Sequence, residues 1–484
     1  MSSINKSVIS GLRWVTISRL LAQALTWLNT LLVIRLLSPT DFGLAALTGV
    51  FANFLLMLNE LGLSTTLIRW QIRDKETLEQ VFGSLLLVGV LFMLGLMAVA
   101  PLLGVIAKEP RVVPLMRLIA LQFVTMSFAV IPQARLSIDL RFRELSVADL
   151  VASLVGAATT LLLAINHAGA WSLISGVVVV AATRAVILNS YCFSIMRPRF
   201  QITKLRHLAG FSGLAVLEKT LWYWYMQIDS FVVGRSLGAA ELGIYGVGRQ
   251  IASVPLERAM GIINSITLPA FSRVHTELDQ VRRGYLKLLR VGSAYAFPVF
   301  WGIALLSEPI VRILLGTKWL PAVVVIQLLC ISMPLRMLNA FTGTAVVAIN
   351  RQDVNIKSLL LAILVVPSCV LMGAHWGVRG VAAAWAVGFP VVYLFNAALV
   401  RGALKIRLRD MFLAVSPPAV AAAAMSLAIA GLSALYLYQL PPLVHVLIAV
   451  PIGTVVFLAA LVLLSREAAQ EMLKLVRDVA SRNA

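Results

Sequence analysis

The sequence predicts an all-α polytopic membrane protein of about fourteen transmembrane helices. Three observations carry this expectation. The chain of 484 residues is 60% hydrophobic and only 13% charged, against roughly 25% charged in a soluble domain. Its apolar residues come in continuous runs of about 20, the length a helix rising ~1.5 Å per residue needs to cross ~30 Å of hydrocarbon. The runs lack the alternation of a β-barrel strand. With no water in the bilayer core to satisfy backbone groups, helices are then the remaining way to span.

In chain order the expected spans are 11–36, 42–63, 79–107, 113–137, 146–166, 169–195, 207–234, 241–268, 285–315, 321–349, 357–375, 377–400, 411–437 and 442–464. Polar residues interrupt the first two and the seventh and eighth. The connecting loops sort into two sets. One holds Lys6, then Arg69, Arg73 and Lys75, then Arg141 and Arg143, then Arg197, Arg199, Lys204 and Arg206. It continues with Arg273, Arg282, Arg283, Arg351, Lys357, Arg401, Lys405, Arg407 and Arg409. The other holds little beyond Lys108, Arg111, Arg235, Lys318 and Arg379. Basic residues stay on the cytoplasmic side, so both termini are expected in the cytoplasm and the span number is even. Twelve is the fallback if two runs are re-entrant. The net charge of +20 follows from this loop bias and does not indicate a nucleic-acid partner.

Cys192, Cys330 and Cys369 fall inside apolar runs at unrelated spacings, as core residues with no disulfide or metal role. The first run is broken by Arg13 and Arg19 and lacks an A-x-A site, so no cleavable signal is expected. In the tail, Met472, Leu473, Val476 and Val479 recur at helical spacing, with Lys474, Arg477 and Arg482 elsewhere on the wheel. A short amphipathic helix on the cytoplasmic leaflet fits this pattern; a frayed tail is the plainer alternative.

The chain also repeats itself. From Arg35 it reads R-L-L-S-P-T-D-F-G-L, and 200 residues later, from Arg235, R-S-L-G-A-A-E-L-G-I. At the same offset Arg19 meets Lys219, Asn29 meets Asp229 and Asp41 meets Glu241. At an offset of 208, Arg143-Glu144 meets Arg351-Gln352, and His167-Ala-Gly meets His375-Trp-Gly. Two homologous six-helix halves of like orientation are expected, with a cavity between them. The resulting organisation is residues 1–205 for the first lobe, 206–402 for the second, 403–465 for an added pair of helices and 466–484 for the tail.

No extramembrane segment exceeds about twenty residues and no G-x-x-x-x-G-K, H-E-x-x-H or zinc-spaced Cys/His cluster occurs. Transport driven by ATP hydrolysis within the chain is not expected on that basis, and the substantial catalytic loop of a membrane glycosyltransferase or ligase is lacking. The chain therefore reads as a transporter and not an enzyme.

Ionisable side chains at membrane depth cost ~2.5–3.5 kcal/mol on insertion scales, so those present need a role. Arg13 and Arg19 lie in the first run, and Asn53 and Glu60 in the second. Glu218, Lys219 and Asp229 lie in the seventh around Trp222-Tyr-Trp-Tyr225. Arg249, Glu257, Arg258 and Asn264 lie in the eighth, and Arg336 and Asn339 in the tenth. Arg13, Arg19, Lys219, Arg249, Arg258 and Arg336 suit an anionic head group such as pyrophosphate, and Trp222 and Trp224 suit sugar faces. Glu60, Glu218, Asp229 and Glu257 are the candidate ion-coupling groups. Plainer roles exist for several: snorkelling for Arg13 and Glu60, an interfacial belt for Trp222–Tyr225, and a structural hydrogen bond for Asp229. No metal or catalytic residue is indicated.

The motif from Arg35, its copy from Arg235, N-E-L-G at Asn59–Gly62 and the fourteen runs together resemble Wzx-type polysaccharide flippases of the multidrug/oligosaccharidyl-lipid/polysaccharide exporter (MOP) superfamily. The resemblance covers essentially the whole chain, although Ala239 stands where the first copy has Pro39. It implies two six-helix lobes in a MATE-like V, with helices 13 and 14 appended. It also implies an undecaprenyl-pyrophosphate-linked oligosaccharide moved from the cytoplasmic to the periplasmic leaflet of a bacterial inner membrane, for exopolysaccharide, O-antigen or capsule biosynthesis. Alternating access would be driven by an ion, H+ or Na+, with no other cofactor. A polymerase and a chain-length regulator of the same pathway would be its protein partners. In related lipid flippases an arginine-bearing first helix lines the cavity, the place of Arg13 and Arg19 here. The competing expectations are a drug/cation antiporter of the same superfamily, which would have a carboxylate-dominated cavity, and a membrane glycosyltransferase or ligase.

Overall fold

Helix starts in this chain are written into short local motifs. Ser38 and Asp41 form a reciprocal capping box. The Ser38 N–H donates to Asp41 Oδ2 (3.0 Å), the Asp41 N–H donates to Ser38 Oγ (3.2 Å), and the Ser38 hydroxyl also reaches Asp41 Oδ2 at 2.6 Å. Pro39, whose missing N–H costs nothing at the first helical position, then opens the helix. Asp74 does the same for the next helix, accepting from the Thr77 N–H at 2.9 Å and its hydroxyl at 2.8 Å.

The computed structural model describes residues 23, 26–59, 67, 68, 71–192, 197–200, 213–273, 277–435 and 439–472. They form α1 (Thr26–Leu36), α2 (Pro39–Asn59), α3 (Lys75–Ile106), α4 (Val112–Ile119), α5 (Leu121–Ile138), α6 (Phe142–Ile165), α7 (Ala170–Cys192) and α8 (Gly213–Leu237). There follow α9 (Ala239–Arg273), α10 (Leu278–Leu305), α11 (Ser307–Leu314), α12 (Ala322–Ala348), α13 (Gln352–Gly373), α14 (Gly377–Leu404), α15 (Leu408–Leu435) and α16 (Pro442–Leu464). No strand occurs among the described residues.

Ten helical stretches among the described residues are long and apolar enough to cross a membrane, the longest, 352–404, holding both α13 and α14. The helices α8 and α9 are not among the ten, because they carry Glu218, Lys219, Asp229, Arg249, Glu257 and Arg258. The expected run 285–315 is two helices. Pro309 has no N–H and its ring crowds the carbonyl four residues back, and the break falls at Leu306, between α10 and α11.

The chain divides into two compact units, Met1–Gly243 and Ile244–Ala484. The expected lobe boundary at 205/206 lies outside the described residues, as does the tail beyond residue 472. In the first unit α7 packs on α5 and α6, α3 on α5, and α8 on α2. Small residues bring α6 and α7 together: a Cβ on Gly156 would meet Val180 at 2.1 Å, and one on Gly176 would meet the Thr160 hydroxyl at 1.9 Å. Close approach through small residues is how helices associate where lipid removes the hydrophobic drive. In the second unit α10 packs on α12 and α15, α14 on α12 and α13, and α16 on α15. Residues 466–472 form a further turn of helix whose Glu467 and Glu471 converge on Arg290 of α10, the latter at 3.4 Å.

Large apolar side chains stay exposed, among them Leu91, Val105, Leu162, Val186, Leu364, Leu394, Leu427 and Leu463. A soluble monomer does not expose apolar surface on this scale; a lipid-facing one must.

The second echo in the sequence, at an offset of 208, holds at one end of its helix pair. Gly169 and Gly377 both take positive φ, 59° and 71°. At the other end Arg351, which caps α13, corresponds structurally to Arg141, which caps α6, two residues before Arg143. The reason is length: α6 has 24 residues and α13 has 22.

Candidate functional site

The ionisable groups expected at membrane depth sit on three helices, α8, α9 and α12; Arg13, Arg19 and Glu60 lie outside the described residues. On α8 the residues Glu218, Trp222, Tyr225 and Asp229 follow one another at i, i+4, i+7 and i+11, which puts them on one stripe. Exposure falls along it: Glu218 is exposed and Trp222 is 50% exposed, while Tyr225 and Asp229 are 4% and 1% exposed. The carboxylate of Asp229 accepts the Ser230 N–H at 2.6 Å and its hydroxyl at 3.3 Å. Lys219, exposed, lies about 100° round the helix from this stripe.

The aromatic run is held mostly by α2. The Tyr223 hydroxyl donates to the Val50 carbonyl at 2.5 Å. Trp224 packs against Phe54 with ring centroids 5.5 Å apart, and edge-on against Phe231 at 6.1 Å. Trp224 also lines an apolar cavity of about 610 Å3 with Phe51, Phe54, Phe92, Leu96 and Phe231. A second apolar groove, about 370 Å3, lies between α10, α15 and α16 in the other unit and includes Met472. Neither holds a charged residue.

On α9 Arg249 is half-buried, and Glu257 and Arg258 are exposed; the Ser253 hydroxyl donates to Glu257 at 2.8 Å. Nine residues separate Arg249 from Arg258, about 13 Å along the axis. Arg336 of α12 stands over the Trp385 ring of α14, its Cζ 4.4 Å from the centroid, and 5.9 Å from that of Phe389. A guanidinium over indole is a strong form of cation–π contact. One turn on, Asn339 accepts from the Asn396 amide, a residue only 3% exposed. The structure thus groups Glu218, Trp222 and Asp229 on one face of α8, and Arg336 with Asn339 in the second unit.

Four polar constellations were not singled out from sequence. Arg184 donates to Asp149 (2.6 Å) and to Gln133 (3.2 Å), tying α5, α6 and α7. Arg199 meets the buried Glu79 at 3.0 Å. Asn396 pairs with Asn339, and Arg290 with Glu467 and Glu471. Asp149, Arg184 and Arg290 each carried a signal, a charge inside an apolar run, and Asn339 was read from the sequence alone; the pairings show only in the structure. In the loop between α3 and α4, hydrogen bonds from Arg111 at 2.8 Å hold the Glu109 carboxyl below its usual range.

Continuous apolar helices, ten stretches of which among the described residues are long enough to cross a membrane, define a multi-pass membrane protein. The chain belongs to the polysaccharide biosynthesis protein family, which matches residues 32–324, more than half its length. It is 24% identical over 400 residues to the lipopolysaccharide biosynthesis protein WzxC of Escherichia coli K12, covering 82% of this chain and 80% of that one. It is 24% identical over 396 residues to the succinoglycan biosynthesis transport protein ExoT of Rhizobium meliloti, covering 77% and 80%. In fold it is similar to the lipid II flippase MurJ in an inward closed conformation. There the TM-score is 0.71 at 14% identity, over 94% of this chain and 99% of that one. The chain is also similar in fold to an inward-facing multidrug resistance MATE family transporter described as of the MOP superfamily, with a TM-score of 0.56 at 15% identity, over 82% of this chain and 98% of that one.

Proposed function

We propose that this protein is a flippase that moves an undecaprenyl-pyrophosphate-linked oligosaccharide from the cytoplasmic to the periplasmic leaflet of the bacterial inner membrane. The observation that carries the reading is the match of more than half the chain to the polysaccharide biosynthesis family, on a fold shared with a lipid II flippase over 94% of its length. Both termini are cytoplasmic in this reading, from the loop asymmetry. The two lobes, residues 1–205 and 206–402, rock about a cavity, with 403–465 appended and 466–484 as the tail. Arg13, Arg19, Lys219, Arg249, Arg258 and Arg336 hold the pyrophosphate, which suits guanidinium geometry. Trp222 and Trp224 take sugar faces. A proton or sodium ion acts on Glu60, Glu218, Asp229 or Glu257, and it biases the cycle only through different affinity for the two arrangements. A polymerase and a chain-length regulator consume the product.

The test is complementation in strains lacking a polysaccharide flippase, a polymerase or a drug antiporter. The flippase strain alone should regain polymer export, and Arg19→Ala and Arg258→Ala should abolish that rescue at normal membrane yield. Rescue of either other strain instead, or full export by both variants, sinks the assignment.

A further inference from the structure

The two copies of the repeated motif touch each other through their glycines. Gly43 and Gly243 hold the same place in the two copies, 200 residues apart. A Cβ built on Gly43 would lie 1.6 Å from the Ala239 carbonyl oxygen, and one on Gly243 would lie 1.8 Å from the Pro39 carbonyl oxygen. Pro39 and Ala239 are themselves equivalent, each the first residue of its helix, α2 and α9. The contact is therefore reciprocal: each copy's glycine seats the other copy's first carbonyl, as in an isologous interface. Both obstacles are backbone, so no side-chain rotation relieves them. The Gly243 Cβ would also come within 3.0 Å of the Gly43 nitrogen.

The next glycine along each helix is freer. Further along α2 a Cβ on Gly49 would meet only the Asn53 amide, at 3.6 Å, and along α9 one on Gly246 would meet nothing within 4 Å. One turn below Gly43, Leu47 is 0% exposed, and its Cδ1 would stand 2.9 Å from a Cβ on Gly234 of α8. Backbone against backbone, too close for a Cβ on either glycine, is an arrangement that seals closely. The adjoining basic residues, Arg35 and Arg235, precede these two helix starts, which the loop asymmetry places on the non-cytoplasmic side.

We infer that Gly43 and Gly243 are positioning residues for transport: they let the first turns of α2 and α9 close the pathway at its periplasmic end. This rests on the flippase reading for its direction and on the glycine geometry for its substance. Alanine is the stronger helix former, so Gly43→Ala and Gly243→Ala leave each helix intact and act on the contact alone.

The experiment uses the full chain in spheroplasts, with Cys192, Cys330 and Cys369 replaced by alanine and Leu47→Cys as reporter for a membrane-impermeant maleimide. Leu47→Cys should be protected with both glycines present. It should label several-fold faster with Gly43→Ala and with Gly243→Ala, and stay protected with Gly49→Ala or Gly246→Ala. Unchanged labelling in both contact variants overturns the inference. Should neither variant accumulate, Thr40→Cys with Ala240→Cys, glycines intact, replaces them. A short bifunctional maleimide should join the two and halt export; failure to join them overturns the inference. Labelling needs no substrate. A chain that labels as expected yet rescues no flippase strain would refute the proposed function and leave the seal standing.

Discussion

Asp229 adds a titratable charge where its counterpart in the first copy of the repeat, Asn29, is only polar. Asn29 is half-buried on α1, whereas Asp229 is nearly inaccessible at the enclosed end of the α8 stripe. A carboxylate at that depth is costly unless its charge is used or compensated. Neutralising it by a proton or sodium ion changes the electrostatics of α8 without changing its shape. Asp229→Asn keeps shape and hydrogen bonding and removes the charge. In proteoliposomes this variant should bind lipid-linked substrate as the parent does and lose most of its response to an imposed proton or sodium gradient. A gradient response equal to the parent's would make Asp229 a structural hydrogen-bonding group.

At the scale of helices, an ion pair within the first unit ties three helices together. Arg184 is the fifteenth residue of the 23-residue α7 and reaches Asp149 on α6 and Gln133 on α5. The two side chains are 29% and 55% exposed but lie within apolar spans. Removing one member leaves the other charge unpaired at membrane depth, a cost of ~2.5–3.5 kcal/mol on insertion scales that removing both avoids. Arg184→Leu should therefore lower the detergent-solubilised melting temperature by several degrees and reduce membrane yield. Arg184→Leu with Asp149→Leu should recover most of the loss. A double variant no more stable than the single would show that the pair does not hold these helices. The same reasoning separates this pair from Arg111–Glu109, whose partners sit in a loop and contribute little.

For the whole molecule, the apolar exterior and the basic loops make one joint statement about orientation. Leu427 and Leu463 are exposed at 75% and 86%, surfaces suited to lipid, and the loops that end such helices carry the arginines. Reporters fused at Arg283 and after Ala484 should both read cytoplasmic. Opposite compartments at the two sites would require an odd number of spans between them and would refute the even-span arrangement.

Most of the helical frame was legible in the sequence. Every apolar run expected from residue 42 to 464 contains a helix, because in lipid a run of apolar residues has no alternative that satisfies its backbone. Start signals such as Ser38-Pro39-Thr40-Asp41 act within one turn and were equally readable as a motif. The break at Leu306 follows from Pro309 but was passed over by hydropathy, which averages across a single residue. The expected site was legible as residue types on helices, and no further. Periodicity puts Glu218, Trp222 and Asp229 on one stripe, yet only packing against α2 decides that exposure falls from Trp222 to Asp229. The pairs Arg184–Asp149, Arg199–Glu79 and Asn396–Asn339 join residues 35, 120 and 57 positions apart, and no local pattern encodes such a meeting. The glycines show the division most sharply. Sequence determined that Gly43 and Gly243 are equivalent, because homologous copies keep their spacing. Only the tertiary structure decided that they meet, because a backbone approach too close for a Cβ depends on where two distant helices start in space.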